Sequence, residues 1–324
     1  MKQSRGGSRG RAVAASVLAI VALSSCVADA QTLGAEPFLD PYGPPAPTHR
    51  HEARWDGAWS HSNAWDYSLA AAGAGSILFA EIVLQPRRPP VRWNGPILFD
   101  ADVRRALRSP GAEARGAAEA VAWGLWGLQL AYPVFVDVPL AWTRYGHRFA
   151  EDLFWQDAVT LTLAGAADLG LRDVAARTRP GAYDCLRQGG SDCLGPVESD
   201  RSFPGGHTTN GTAAAVLTCT QHLYTQLYGA PGDGLVCAET LASNLTLAVL
   251  RVTSDNHWAT DQIAGMALGA LIGWGVPYAM HFHGHSTAGD GAESDGPEKA
   301  PGALVLPMPM ALPGGAGLGV TGIF

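Results

Sequence analysis

Apolar positions along this chain gather into long stretches of helical length that are separated by proline, glycine and charged residues. Between residues 66 and 280 no run alternates with a period of two for long enough to build a sheet. The pattern predicts an all-α fold, a six-helix bundle, in a domain over residues 66–285. The predicted helices cover residues 66–85, 117–142, 152–172, 207–228, 236–251 and 257–280.

The first 30 residues have the pattern of an export signal, with basic residues before an apolar run at 12–23. Two cleavage sites compete. One precedes Cys26, which would become a lipidated first residue, and the other follows the small residues 28–30. An uncleaved membrane anchor is the alternative, although the run is shorter than the ~20 residues that a span needs.

The flanks of the bundle have compositions that disfavour helix. Residues 31–65 are rich in proline and tryptophan, and we expect them to form a linker or an extended N-terminal arm. Trp55, Trp59 and Trp65 either dock that arm on the bundle or lie at a membrane interface. Residues 286–324 predict a flexible linker and an irregular C-terminal tail.

The sequence contains some features that favour membrane-spanning helices and others that favour a soluble bundle. The stretches 67–84 and 263–280 approach the length and apolar content of a span, and an arginine-rich segment follows the first helix. Other helices carry Asp157, Asp168 and His222, which favours a soluble bundle. We therefore expect an exported protein, periplasmic or associated with the cell envelope, with an integral inner-membrane protein as the alternative.

Composition and charge narrow the class of ligand. The chain has 324 residues, is 47% hydrophobic and 16% charged, and has a formal net charge of −7. An acidic protein of this kind is not expected to bind nucleic acid. The even number of cysteines beyond Cys26 makes disulfides plausible in an exported chain, without fixing their pairing, and free core cysteines remain an alternative. These cysteines are Cys185, Cys193, Cys219 and Cys237.

Residues 251–261 contain the first candidate chemistry. On a helix that begins near His257, the imidazole and the carboxylate of Asp261 share one face. A carboxylate bonded to one ring nitrogen would fix the tautomer and leave the other nitrogen as a nucleophile or base. Arg251, six residues before the histidine, indicates an anionic target.

Two upstream clusters are also suited to an anion. The turn at residues 202–207 contains Gly205 and Gly206 and ends in His207, and backbone N–H groups at such a turn can hold phosphate oxygens. Further back, Arg172 and Arg179 supply guanidinium forks that match phosphate.

Together the three clusters resemble the signature of the type 2 phosphatidic acid phosphatase (PAP2) and vanadium haloperoxidase superfamily. That signature is a lysine, six residues and Arg-Pro; a Pro-Ser-Gly-His turn; and Ser-Arg, five residues, His, three residues, Asp. The matching positions are Arg172, Arg179-Pro180, Pro204 to His207, Arg251, His257 and Asp261. Arginine replaces the lysine at 172, Gly205 replaces the motif serine and loses its hydroxyl donor, and Leu250 replaces the serine before Arg251.

The resemblance implies hydrolysis of a phosphate monoester, a lipid phosphate or a diphosphate through a phosphohistidine. His257 would attack phosphorus, Asp261 would orient it, and His207 would protonate the leaving group. The phosphate would be held by Arg172, Arg179, Arg251 and the N–H groups of Gly205 and Gly206. No metal or other cofactor is expected, and vanadate should inhibit.

Two alternatives of other classes stay open. A vanadium-dependent haloperoxidase would hold vanadate as its cofactor with the same residues, and a non-catalytic protein of the cell envelope would only bind the anion. The alternating histidines at 281, 283 and 285 also allow a metal site, although a solvated helix end is the favoured interpretation.

Overall fold

The computed structural model describes residues 53, 55–87, 90–190, 193 and 199–283, together with the backbone of two strands near the C-terminus. The export signal with Cys26, most of the N-terminal arm and the linker before the strands lie outside the described residues. The helices are α1 Ala64–Phe79, α2 Asp100–Leu107, α3 Ala112–Tyr132, α4 Val138–Tyr145, α5 His147–Ala175, α6 Pro180–Arg187, α7 Gly206–Thr225, α8 Gly232–Thr253 and α9 Ala259–Pro277.

Three π-helical turns lengthen these elements. Ala80–Leu84 extends α1, Pro133–Asp137 joins α3 to α4, and Tyr278–Phe282 extends α9. The six predicted helices therefore match continuous helical segments, but the count of six is not confirmed, because α2 and α6 were not predicted. Both are short and polar, and α6 begins at Pro180, whose fixed φ suits a first helical position.

Helix α7 lies at the centre of the bundle and packs against α3, α5, α8 and α9. The closest approach is to α9, along a stripe of glycines at 265, 269 and 273. A Cβ at Gly265 would lie 2.8 Å from the Gly205 carbonyl oxygen, so only glycine permits this backbone contact. The stripe holds the start of α9 against the turn that precedes α7.

The long helices run alternately up and down, so their ends form two opposite ends of the bundle. At one end the Ser60 N–H donates to the His281 carbonyl at 3.1 Å, which joins the beginning and the end of the helical domain. At the other end Arg201 donates to the Leu84 carbonyl at 3.1 Å and to Asp173 at 2.7 Å. We call these the terminal end and the loop end.

Four helical segments are long and apolar enough to cross a membrane: Ala64–Leu84, Ala112–Tyr145, Gly232–Thr253 and Ala259–Phe282. At most 33% of each apolar window is buried inside the bundle, so the segments turn their apolar side chains outward. Ile82, Phe135 and Leu271 are among those that are largely exposed. This surface supports association with a membrane.

The polar residues that favoured a soluble bundle point inward. Gln221 donates to Asp157 at 2.9 Å, and His222 bonds Asp233 at 2.7 Å, all inside the bundle. Asp168 is likewise buried and pairs with Arg172 at 3.2 Å. Because each of these side chains bonds a partner inside the bundle, they are compatible with a membrane location as well as with a soluble bundle.

The remaining expectations for the helical unit concern cysteines, tryptophans and histidines. Disulfides join Cys185 to Cys193 and Cys219 to Cys237. Trp55 contacts Phe149 with ring centroids 5.8 Å apart, so the described part of the arm docks on the bundle. The solvated helix end expected at His281 is wrong, because this side chain is buried and pairs with Asp66 at 2.9 Å.

Residues 286–324 form a separate unit that contains an antiparallel hairpin. Strand β1, Leu304–Leu312, pairs with β2, Gly315–Ile323, from Leu304 opposite Ile323 to Leu312 opposite Gly315. The predicted irregular tail is thus corrected. Two prolines of β1 are two residues apart, so both can occupy positions whose missing N–H does not face the partner strand.

Candidate active site

The loop end of the bundle brings together the predicted site residues from five elements. Arg172 lies in the last turn of α5, Arg179 precedes α6, and Arg251 lies in the last turn of α8. His207 is the second residue of α7, and His257 lies in the short loop between α8 and α9. The chain therefore folds two imidazoles and three guanidiniums toward one place.

His257 is 2% exposed, and its ring is held by the main chain. Its Nδ1 lies 2.7 Å from the Ser202 carbonyl oxygen, which can only accept, so the proton is on Nδ1 and the lone pair is on Nε2. Burial and the positive charges of Arg251 and Arg179 lower the pKa of His257 well below its ordinary value. The side chain is therefore neutral at neutral pH, and its Nε2 carries an available lone pair.

Asp261 does not bond His257 directly, which corrects the predicted pair. Its Oδ2 lies 4.0 Å from the His257 Nδ1 and instead accepts from the Ser202 hydroxyl at 2.6 Å. Its other oxygen accepts from the Arg177 guanidinium at 2.5 Å. The carboxylate thus holds Ser202, whose carbonyl holds the histidine, so its influence on His257 is indirect.

Arg177 is a residue of the site that the sequence did not reveal. Its side chain is fully buried, pairs with Asp100 at 2.6 Å as well as with Asp261, and lies 4.1 Å from the centre of the Trp93 ring. Asp100 in turn accepts from the Thr260 N–H at the start of α9 at 2.8 Å. The one available signal was a third arginine between Arg172 and Arg179, and spacing alone does not distinguish it from a surface arginine.

His207 lies between aromatic rings and positive charges. Its ring centroid is 4.2 Å from that of Trp123 and 5.1 Å from that of Trp126. Burial, followed by the charges of Arg251, Arg179 and Arg172, lowers its pKa to about 2. Within the described part of the chain its Nε2 is buried without a hydrogen-bond partner, so a polar atom able to bond a ligand faces this space.

The three phosphate-binding candidates each keep a polar neighbour in the protein. Arg172 pairs with Asp168 at 3.2 Å, and Arg179 donates to Asn256 at 3.3 Å. Arg251, whose side chain is 2% exposed, lies 3.7 Å from the half-exposed Glu119. These contacts orient the three guanidinium groups. Because His207 and His257 are uncharged, the site carries a net positive charge that suits an anionic ligand.

The turn before α7 departs from the prediction at Gly205. Its N–H donates to the Asp261 carbonyl at 3.0 Å and is therefore not available to a phosphate. A Cβ at this position would lie 2.5 Å from Nε2 of Gln262, a residue that sequence analysis did not select. Gly206 begins α7, and a Cβ there would lie 2.7 Å from the Asp168 carboxylate, so a larger residue would displace that side chain.

Among the described residues no group of three or more His, Cys, Asp or Glu side chains could hold a metal ion. This statement covers His281 and His283, whereas His285 lies outside the described residues.

Residues 154–284 match the sequence model of the PAP2 superfamily, a range that contains all of the motif positions from Arg172 to Asp261. This match confirms the resemblance seen in the motifs. Among solved structures, a similar one is the transmembrane PAP2-type phosphatidylglycerolphosphate phosphatase from Bacillus subtilis, 17% identical, with a TM-score of 0.41. The likeness covers 65% of this chain and 93% of that one. No curated protein matches this chain.

Proposed function

Because residues 154–284 match the sequence model of the PAP2 superfamily, we propose that this protein is a phosphatase that cleaves phosphate monoesters or lipid phosphates through a phosphohistidine. The observation that carries the proposal is the convergence of His257 and His207 with three guanidiniums at one end of the bundle. Burial and then the charges of Arg251 and Arg179 lower the pKa of both histidines, so the four groups share one electrostatic environment.

In the first step Nε2 of His257 attacks phosphorus, and the bond from phosphorus to the ester oxygen breaks. The guanidiniums of Arg172, Arg179 and Arg251 bind the non-bridging oxygens, where negative charge is concentrated. Water then attacks phosphorus, the bond from phosphorus to nitrogen breaks, and phosphate and free His257 are released. The Ser202 carbonyl keeps the histidine in the reactive tautomer throughout.

His207 supplies the proton to the leaving oxygen and later takes one from the attacking water. Burial and the neighbouring arginines lower its pKa to about 2, which keeps it neutral before a substrate binds. A bound phosphate dianion offsets the arginine charges, so His207 can take up a proton when the substrate binds. Substrate binding therefore generates the protonated His207 that acts as the general acid.

The wall beside His207 favours an apolar leaving group. Trp123 contacts His207, is 50% exposed, and belongs to the segment Ala112–Tyr145, which is long and apolar enough to cross a membrane. A leaving group beside His207 would lie against this indole and could extend to the outer surface of the bundle. We therefore place lipid phosphates first among the substrates and the protein at a membrane.

The deciding experiment replaces His257 with Asn in the full-length protein purified in detergent. Turnover of p-nitrophenyl phosphate should be abolished, orthovanadate should inhibit the wild type, and chelators should leave its rate unchanged, since we expect no metal. An undiminished rate in the variant would contradict the role of His257. Vanadate-dependent bromination of a dye, without phosphatase activity, would support a haloperoxidase instead.

Export to the periplasm or cell envelope rests on residues 1–30, which lie outside the described residues. The mass of the mature protein separates processing before Cys26 from cleavage after Ala30 and from an uncleaved anchor. A disulfide between Cys185 and Cys193, near the loop end, is consistent with an oxidising compartment.

A further inference from the structure

The turn at residues 204–207 lacks the hydroxyl donor that the family motif carries at its second position, because Gly205 stands there. The Gly205 N–H is engaged by the Asp261 carbonyl at 3.0 Å. If a phosphate oxygen is bound on this side of the site, the donor must therefore come from another residue.

Gln262 occupies the space that a side chain at position 205 would fill. A Cβ built on Gly205 would lie 2.5 Å from Nε2 and 3.0 Å from Cδ of Gln262, so the amide nitrogen stands where the motif serine would extend. Gln262 follows Asp261 in the first turn of α9, and the glycine contact at 265 fixes this turn against the start of α7.

One hydrogen bond orients the side-chain amide of Gln262, and its Nε2 group remains as a donor. Its Oε1 accepts from the Thr208 hydroxyl, and its Nε2 lies on the other side of the amide group. The residue is 3% exposed, and its Nε2 is buried without a partner among the described residues. A buried amide donor without an acceptor is costly unless a ligand satisfies it.

Resting on the proposed function, we infer that Gln262 is a phosphate-binding residue that donates from Nε2 to a non-bridging oxygen in place of the motif serine. The unpartnered Nε2 of His207, two residues beyond Gly205, belongs to the same site. The hydroxyl that the chain lost at 205 is thus replaced by an amide from another helix.

The central test is Gln262→Met, which keeps the length of the side chain and removes the donor. We expect kcat/KM for p-nitrophenyl phosphate to fall by roughly 10- to 100-fold, the effect of losing one hydrogen bond to a charged group. The inhibition constant of orthovanadate should rise by a similar factor. The protection by orthovanadate against thermal unfolding should weaken in parallel, which measures binding independently of turnover.

Moving the hydrogen-bond donor from position 262 to position 205 distinguishes a phosphate-binding role of Gln262 from a purely structural role. Gly205→Ser alone should not improve the enzyme, because the new Cβ meets Gln262. The double variant Gly205→Ser with Gln262→Ala removes that clash and restores a hydroxyl, so it should recover most of the lost orthovanadate affinity. Gln221→Met is the matched control, since it removes a buried amide that bonds Asp157 away from the site. It should lower the melting temperature and leave kcat/KM within about two-fold, because a hydrogen bond contributes where it is made.

The inference is overturned if Gln262→Met keeps the wild-type kcat/KM and orthovanadate affinity. It is also overturned if the serine swap recovers nothing while the single variant only loses melting temperature, as Gln221→Met does. A wild-type protein that hydrolyses no ester but is still protected by orthovanadate would contradict the proposed function alone. In that case the thermal measurements would still decide the role of Gln262.

Discussion

The two histidines of α7, His207 and His222, have opposite electrostatic surroundings. His207, at the loop end, faces three guanidiniums, and burial with these charges lowers its pKa to about 2. His222, near the terminal end, is fully buried, but its hydrogen bonds to Asp137 and Asp233 outweigh the burial and raise its pKa to about 9. One helix thus carries a neutral histidine beside three arginines and a charged histidine between two carboxylates. The opposite pKa shifts of the two side chains therefore follow from the charges of their neighbours rather than from burial.

His207 and His222 also differ in whether their ring nitrogens have hydrogen-bond partners. His222 bonds Asp233 at 2.7 Å and Asp137 at 3.3 Å, and Tyr228 also donates to Asp137 at 2.5 Å. Every polar atom of that ring has a protein partner, whereas Nε2 of His207 has none among the described residues. Satisfied groups stabilise a fold, and the unsatisfied one indicates where a ligand binds.

The largest effect should come from replacing each histidine with glutamine. We expect His207→Gln to lower kcat on p-nitrophenyl phosphate by about 10²- to 10⁴-fold, the range for a lost general acid, with little change in melting temperature. His222→Gln should leave kcat almost unchanged and lower the free energy of unfolding by about 3 kcal/mol, because two buried carboxylates lose their partner. Kinetics and thermal unfolding on both variants check this. Equal losses of activity in the two variants would contradict the assignment of His207 to the site and of His222 to the fold.

A second test uses the pH dependence of stability. The lowered pKa of His207 means that the unfolded state binds its proton more readily, so its contribution to stability is present above about pH 6.5 and is lost as the pH falls. The raised pKa of His222 has the opposite sign, and its contribution is full below about pH 6.5 and is lost as the pH rises toward 9. Each slope approaches about 1.4 kcal/mol per pH unit.

The measurement is the melting temperature between pH 5 and pH 9. His222→Gln should flatten the alkaline decline and leave the acid decline in place, and His207→Gln should reduce the acid decline, which His257 also contributes. Orthovanadate should reduce the acid decline in the wild type, because the bound anion raises the pKa of His207. A wild type with no alkaline decline would contradict the charged state of His222.

The smallest effect concerns the substrate. Trp123→Ala should lower kcat/KM for a long-chain lipid phosphate by about 10-fold relative to p-nitrophenyl phosphate, since a buried aromatic contact contributes about 1–2 kcal/mol. Trp142→Ala is the control, because this tryptophan is 64% exposed on α4, within the same segment Ala112–Tyr145 but away from His207. It should change neither rate. Equal losses on both substrates would show that Trp123 does not contact the leaving group.

Much of the architecture could be predicted because it is local. Apolar stretches separated by proline, glycine and charge located six helices to within a few residues of their ends, and the motif spacing selected Arg172, Arg179, His207, Arg251 and His257. What was missed depends on contacts between distant segments. Arg177 is joined to Asp100 and Asp261 across more than 70 residues of sequence, and no local pattern predicts such a pair.

The sequence by itself determined the long helices, the resemblance to the PAP2 superfamily and the choice of two histidines and three arginines as candidate site residues, because each follows from a residue type at a short spacing. Only the tertiary structure decided that Ser202 rather than Asp261 holds the His257 ring, that Gln262 fills the place left by Gly205, and that His207 and His222 have opposite pKa shifts. The physical reason is that hydrogen bonds and charges act through space, over a few ångströms, between residues that the chain keeps far apart.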